Sequence, residues 1–214
     1  MAVRRLYDGL RGASQISAAR QSDFVIGSCI VNTDIVCTIG HSNRPIEEFI
    51  DLLRQNEVVV LLDIRTVPKS RHNPQFGQDQ LPLSLKEAGI EYRQMPGLGG
   101  LRRPKPDSVN SGWRNTSFRG YADYMQTPDF AKNVDAVIDL ASNTRCVLMC
   151  AESVPWRCHR SLVADALLVR GIPVEHIINP GKRKPATLTP FAKVEGTRIT
   201  YPPEGGEQIG LDFG

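Results

Sequence analysis

The chain has 214 residues, 41% hydrophobic and 23% charged, the make-up of one soluble globular domain with its own core. A net charge of +3 excludes a protein that binds polyanions over its whole surface. No run approaches the roughly 18 apolar residues of a membrane helix, and the basic N-terminus lacks the apolar core of a secretory signal. The cysteine count is five, an odd number, and Cys37 and Cys146 lie inside apolar runs. That argues for reduced thiols in a cytoplasmic setting rather than a disulfide framework.

Residues 1–33 read as an N-terminal arm, since the apolar stripe of Val3 to Arg20 is thin. Ile35 to Ile39 is a β-branched apolar run and predicts a strand. Gly40-His41-Ser42-Asn43 then turns the chain, with Ser42 or Asn43 as the candidate helix N-cap and Pro45 in the first turn. Ile46, Phe49, Ile50 and Leu53 recur at helical spacing. Val58 to Ile64 predicts a strand buried on both faces, with Asp63 and Arg65 at its carboxyl end.

Residues 66–78 form a cation-rich loop that includes Ser70 and Arg71. A short helix over Gln80 to Ala88 stops at Gly89, and Ile90 to Gln94 is a strand. Residues 96–118 are irregular, a length that in a compact domain usually signals function or mobility. Arg119 to Gln126 is a candidate helix, and Thr127-Pro128 starts another, Thr as N-cap and Pro at N1.

The run Cys146 to Met149 predicts a strand ending at Cys150. The loop Ala151 to Arg157 leads to Cys158, His159 and Arg160, where an amphipathic helix begins and then stops at Gly171. Val174 to Ile178 is a further strand, and residues 181–214 read as an extended tail in which Thr197 to Tyr201 is a candidate strand. Strands alternating with helices over 34–180 predict one α/β domain. Its sheet is mainly parallel, of about five strands, with helices on both faces in a Rossmann-like or rhodanese-like three-layer arrangement.

The carboxyl ends of parallel strands share one edge, where open α/β sheets bind ligands. Three loops converge there, bringing His41, Ser42, Asp63, Arg65, Ser70, Arg71, Cys150, Glu152, Cys158, His159 and Arg160 into one neighbourhood. A thiol near a helix N-terminus and cations is a candidate nucleophile. His41 and His159 are candidate acids or bases, with Glu152 beside them. Gly99 and Gly100 allow backbone to approach a phosphate, and Arg119 and Tyr121 offer contacts to a planar or phosphorylated ligand. Cys150, Cys158, His159 and His41 are also zinc or iron ligand types, but their spacing matches no common zinc pattern, so no metal or cofactor is assigned.

Several segments resemble a known family: TIGHS (38–42), LLDIRTVPKSR (61–71), LGG (98–100), FRGYADYM (118–125), LMCAESVPWRCHR (148–160) and GIPVEHI (171–177). In that order they are similar to the family called domain of unknown function 488. The resemblance implies a bacterial or archaeal intracellular α/β domain and assigns no activity. A weaker resemblance is to the rhodanese and cysteine-phosphatase group. There a strand bearing Asp-x-Arg accompanies a strand whose terminal Cys opens an anion-cradling loop. Asp63-Ile64-Arg65 and Cys150 fall in analogous places. The loop here has six residues between Cys150 and Arg157 where that group has five, and it carries Glu152 and Pro155.

The leading expectation is an enzyme acting on a small anionic or nucleotide-like ligand. Cys150 or Cys158 would be its nucleophile or redox thiol, His159 or His41 its acid/base, and Arg65 and Arg160 its anion contacts. One alternative is a non-catalytic nucleotide or nucleic-acid binding module using the basic segments 65–71, 102–105 and 182–184. Another is a zinc or iron enzyme using the Cys and His ligands.

Overall fold

The structure is a computed structural model that describes residues 35–203, together with the backbone of a short antiparallel pair, β1 (Val25–Ile26) and β2 (Cys29–Ile30). The expected helix over 3–20 lies outside the described residues. In order follow β3 (Val36–Gly40), α1 (Ile46–Gln55), β4 (Val60–Asp63), α2 (Leu81–Glu87), β5 (Glu91–Gln94), α3 (Thr116–Tyr124) and α4 (Pro128–Ala141). Then come β6 (Cys146–Cys150), α5 (Arg160–Leu168), β7 (Val174–Asn179), β8 (Lys182–Pro185), β9 (Lys193–Glu195) and β10 (Arg198–Thr200).

The main sheet has the order β5-β4-β6-β3-β7-β8. The first five strands are parallel, and β8 adds to β7 in the antiparallel sense. Alternation along the strands divides the core in two. Val36, Leu62, Cys146, Leu148 and Cys150 face α3, α4 and α5. Cys37, Ile39, Leu61, Val147 and Met149 face α1 and α2. The domain is therefore the three-layer α/β arrangement expected, with a sixth strand.

Two local expectations change. Neither Ser42 nor Asn43 caps α1: the N-cap is Pro45, with no side-chain cap bond. Ser42 instead turns the chain with φ +52°, and its hydroxyl is bonded to Asn43. The helix after the long loop starts earlier than Arg119, because Asn115 accepts from the amides of Ser117 and Phe118 and so caps α3. The cap at Thr127, by contrast, forms as expected and accepts from Phe130 N–H.

The irregular stretch 96–118 is pinned by buried polar groups. The Asp123 carboxylate accepts from Lys105 N–H (2.8 Å), the Ser108 hydroxyl (2.6 Å) and the Asn110 side-chain amide (2.8 Å). Asn110, fully buried, then accepts from the backbone N–H of Tyr201 at 2.9 Å.

That bond helps to dock the segment read as an extended tail. Residues 182–200 form β8, β9 and β10, and Ile199 and Tyr201 are core residues. The Tyr201 hydroxyl donates to the Asp165 carboxylate at 2.8 Å, and Thr189 N–H donates to the same group at 3.0 Å. Asp165 sits inside α5 and is 1% exposed. Its ionisation is pushed upward by burial. A buried carboxylate deprived of a donor loses stability through desolvation. Tyr201→Phe is expected to lower the unfolding free energy by about 1.5–3 kcal/mol in urea titrations; an unchanged midpoint would contradict this account of how the tail is held.

Candidate functional site

The carboxyl ends of β3, β4 and β6 meet at a cavity of about 450 Å³. Its floor is Cys150, Cys158 and His159, and one wall is the loop after β4. Gly100 and Leu101 of the irregular segment and Ser117 and Phe118 at the start of α3 complete the lining.

The loop leaving β6 is held at two points. His41 N–H donates to Cys150 O at 3.0 Å, and Ser42 N–H to Ala151 O at 2.9 Å. Gly40 is needed here, because a Cβ at that position would lie 1.9 Å from Glu152 O. Beneath the loop, the Arg160 guanidinium donates to the carbonyls of Glu152 and Ser153 and to the Thr38 hydroxyl (3.4 Å). Thr38 passes the chain of bonds to His176 Nδ1 at 2.8 Å. Arg160 is 1% exposed, so it positions the loop and its charge from below rather than lining the cavity.

His159 is the central group. Its Nε2–H donates to Ile64 O at 3.2 Å, which turns the other ring nitrogen, Nδ1, to the two sulfurs. That nitrogen lies 3.7 Å from Cys158 Sγ and 3.9 Å from Cys150 Sγ. Gly100 closes the ring in, since a Cβ there would be 2.6 Å from Nδ1. Tyr121 packs its ring 5.1 Å away and gives its hydroxyl to Leu98 O.

The two thiols are not equivalent. Cys158 precedes α5, and Arg160 N–H points at its sulfur at 3.5 Å. Cys150 ends a strand. The hydrogen bond from the Cys150 S–H, followed by contributions from His159 and Arg160, holds the Cys158 thiol well below its ordinary value. The same bond, together with burial, pushes Cys150 well up. Two interacting buried thiols do not both ionise, and of the two Cys150 holds its proton the more tightly.

His41 is differently placed. Its Nδ1–H donates to Ser42 O at 2.8 Å, and Nε2 faces an Arg65 N–H at 3.2 Å. Its ring stacks on Phe76 with centroids 4.3 Å apart. Burial, reinforced by Arg65, lowers its pKa to about 4. Arg65 itself is largely committed to Asp63, at 2.8 Å through Nε, with a further bond to Phe76 O at 2.9 Å. Asp63 is fully buried and also accepts from the Tyr92 hydroxyl.

Of the candidate site residues, His41, Arg65, Ser70, Gly100, Cys150, Glu152, Cys158 and His159 line the cavity. Ser42, Asp63, Arg71, Gly99, Arg119, Tyr121 and Arg160 do not. Gly99 backs onto Thr66, and Arg119 gives both its bonds to Trp113 O. Four lining residues carried little signal: Val67, Leu101, Ser117 and Phe118. Lys69 was visible only as a member of a basic stretch, and Arg157 as the end of the loop after Cys150. At the cavity, the cations Arg65, Lys69 and Arg157 outnumber the carboxylate of Glu152.

Cys150, Cys158 and His159 also present donor atoms within 4.8 Å of one another, which a soft divalent ion could bridge. His41 is outside that group, because both its ring nitrogens are occupied.

The low His41 pKa has a defined consequence. Its neutral ring is the folded form, so protonation favours unfolding, and this costs stability as pH falls from about 6.5 towards 4. An NMR titration of the His41 ring protons is expected to show a midpoint near 4; a midpoint near 6.5 would contradict the bonding described.

A family model described as "Domain of unknown function DUF488" matches residues 45–167, more than half of the chain and all of the site loops except the His41 turn. No curated protein and no solved structure matches. Among the described residues no helix is long and apolar enough to cross a membrane. The chain belongs to the DUF488 family.

Proposed function

We propose that this protein is a thiolate enzyme acting on a small anionic ligand bound in the cavity at the sheet edge. The observation that carries this reading is the aim of His159: a backbone carbonyl holds Nε2–H, and Nδ1 faces both sulfurs. A base within reach of a nucleophile, itself oriented by a third group, is the arrangement that nucleophilic catalysis requires. Cys158 is the nucleophile, since it has the Arg160 N–H and the amino end of α5 behind it. His159 moves the proton at Nδ1. Lys69 and Arg157 draw an anion to the mouth.

The reading as a nucleic-acid or nucleotide binding module has less support. It relies on basic loops, yet Arg102 is spent on the carbonyls of Gly97 and Gly99 and on the Tyr124 ring, 3.6 Å from its guanidinium carbon. Arg65 is similarly spent on Asp63.

The test is the pH dependence of alkylation by iodoacetamide, followed cysteine by cysteine with mass spectrometry. Cys158 is expected to react with an apparent pKa below about 8.5, the value of a free thiol. His159→Gln is expected to slow Cys158 by about tenfold at pH 7. The proposal fails if Cys158 titrates as an ordinary thiol or stays inert across the range.

A further inference from the structure

A single activated thiolate does not explain the second sulfur. Cys150 Sγ lies within 4.8 Å of Cys158 Sγ and shares the same histidine nitrogen, and both residues line the cavity. The donor atoms of the trio lie within 4.8 Å of one another, so a small shift of the 151–157 loop brings sulfur to sulfur. The end of the loop and the start of α5 are also poorly suited to cradle a tetrahedral oxyanion. The amides of Arg157, Cys158 and Ser161 are bonded to Val154 O, Pro155 O and Cys158 O, and that of Arg160 points at the Cys158 sulfur. Pro155 has no amide N–H, and Glu152 sets a negative charge at the rim. The rim instead offers exposed apolar carbon, with Val67 53% and Leu101 75% accessible.

We propose that Cys150 and Cys158 form a two-electron dithiol centre whose substrate is a small organic disulfide bearing carboxylates. This rests on the reading of Cys158 as the nucleophile and deepens it. In the first step the Cys158 thiolate attacks one substrate sulfur. A Cys158–substrate bond forms and the substrate S–S bond breaks. The departing thiolate takes the Cys150 proton by way of His159 Nδ1. In the second step the Cys150 thiolate attacks Cys158 Sγ, the Cys150–Cys158 bond forms, and the second substrate thiolate leaves and takes a proton from solvent. The substrate is reduced by two electrons to two thiols, and the protein pair is oxidised. An external dithiol reductant returns the pair to its starting state. Attack and departure of this kind follow thiolate fraction and leaving-group pKa, and the unequal pair gives one sulfur each role.

The probe is oxidised glutathione, added to the reduced, chelator-treated full chain. Wild type is expected to lose two hydrogens in intact mass, with peptide mapping placing a bond between Cys150 and Cys158. Cys150→Ser is expected to stop at a stable glutathionyl adduct on Cys158, and Cys158→Ser to give neither product at this pair. The inference is overturned if wild type also stops at the adduct, or if the purified protein carries stoichiometric metal whose removal is needed before either thiol reacts. If Cys158 still alkylates with a depressed pKa while no Cys150–Cys158 bond forms, only the dithiol inference falls. If Cys158 is inert to both reagents, the nucleophile reading falls with it.

Discussion

Arg160 is a guanidinium buried to 1% exposure, and among the described residues no ion pair with a carboxylate balances it. An unpaired buried charge costs several kcal/mol unless hydrogen bonds and a nearby counter-charge offset it. Its hydrogen bonds go to the carbonyls of Glu152 and Ser153 and to Thr38, which fixes the loop after β6 against Gly40. Its counter-charge, in this account, is the Cys158 thiolate. The same cation thus shapes the loop and adds, after Cys150 and His159, to the lowering of the Cys158 thiol. His41 and His176 feel it too: both are held near 4, chiefly by burial, with Arg160 contributing.

The parallel sheet explains why these parts meet. β3, β4 and β6 are adjacent, and their carboxyl ends deliver His41, Arg65 and Cys150 to one edge. The alternation of side chains then puts Cys150 on the α5 face, where Cys158 and His159 arrive from the other end of a seven-residue loop. Ile64, one residue past β4, contributes a backbone carbonyl rather than a side chain, and that carbonyl decides which histidine nitrogen faces the sulfurs.

Much of this was legible in the sequence. The apolar runs ending at Ile39, Ile64 and Cys150 marked three strands, and Thr127-Pro128 marked a helix start that forms as read. The clustering of Cys150, Cys158 and His159 was legible because all three sit in one strand-to-helix connection. The division of labour between the histidines was not, since it depends on a carbonyl 95 residues away from His159 and on Phe76 stacking with His41. Nor was the internal use of Arg160, because an arginine at a helix start reads alike whether it meets a ligand or a neighbour. Of the tail, β10 falls inside the candidate strand 197–201, while β8 and β9 escaped because they are exposed throughout and show no burial period; Asp165 and Asn110 dock the segment through groups distant in sequence.

The claim on which the rest stands is that Cys158 carries a thiolate at neutral pH while Cys150 keeps its proton. Ultraviolet difference spectra of chelator-treated wild type and its serine variants at pH 7 test this most directly. The account predicts a thiolate band that Cys158→Ser abolishes. A spectrum with no thiolate band, or one that only Cys150→Ser abolishes, would contradict it.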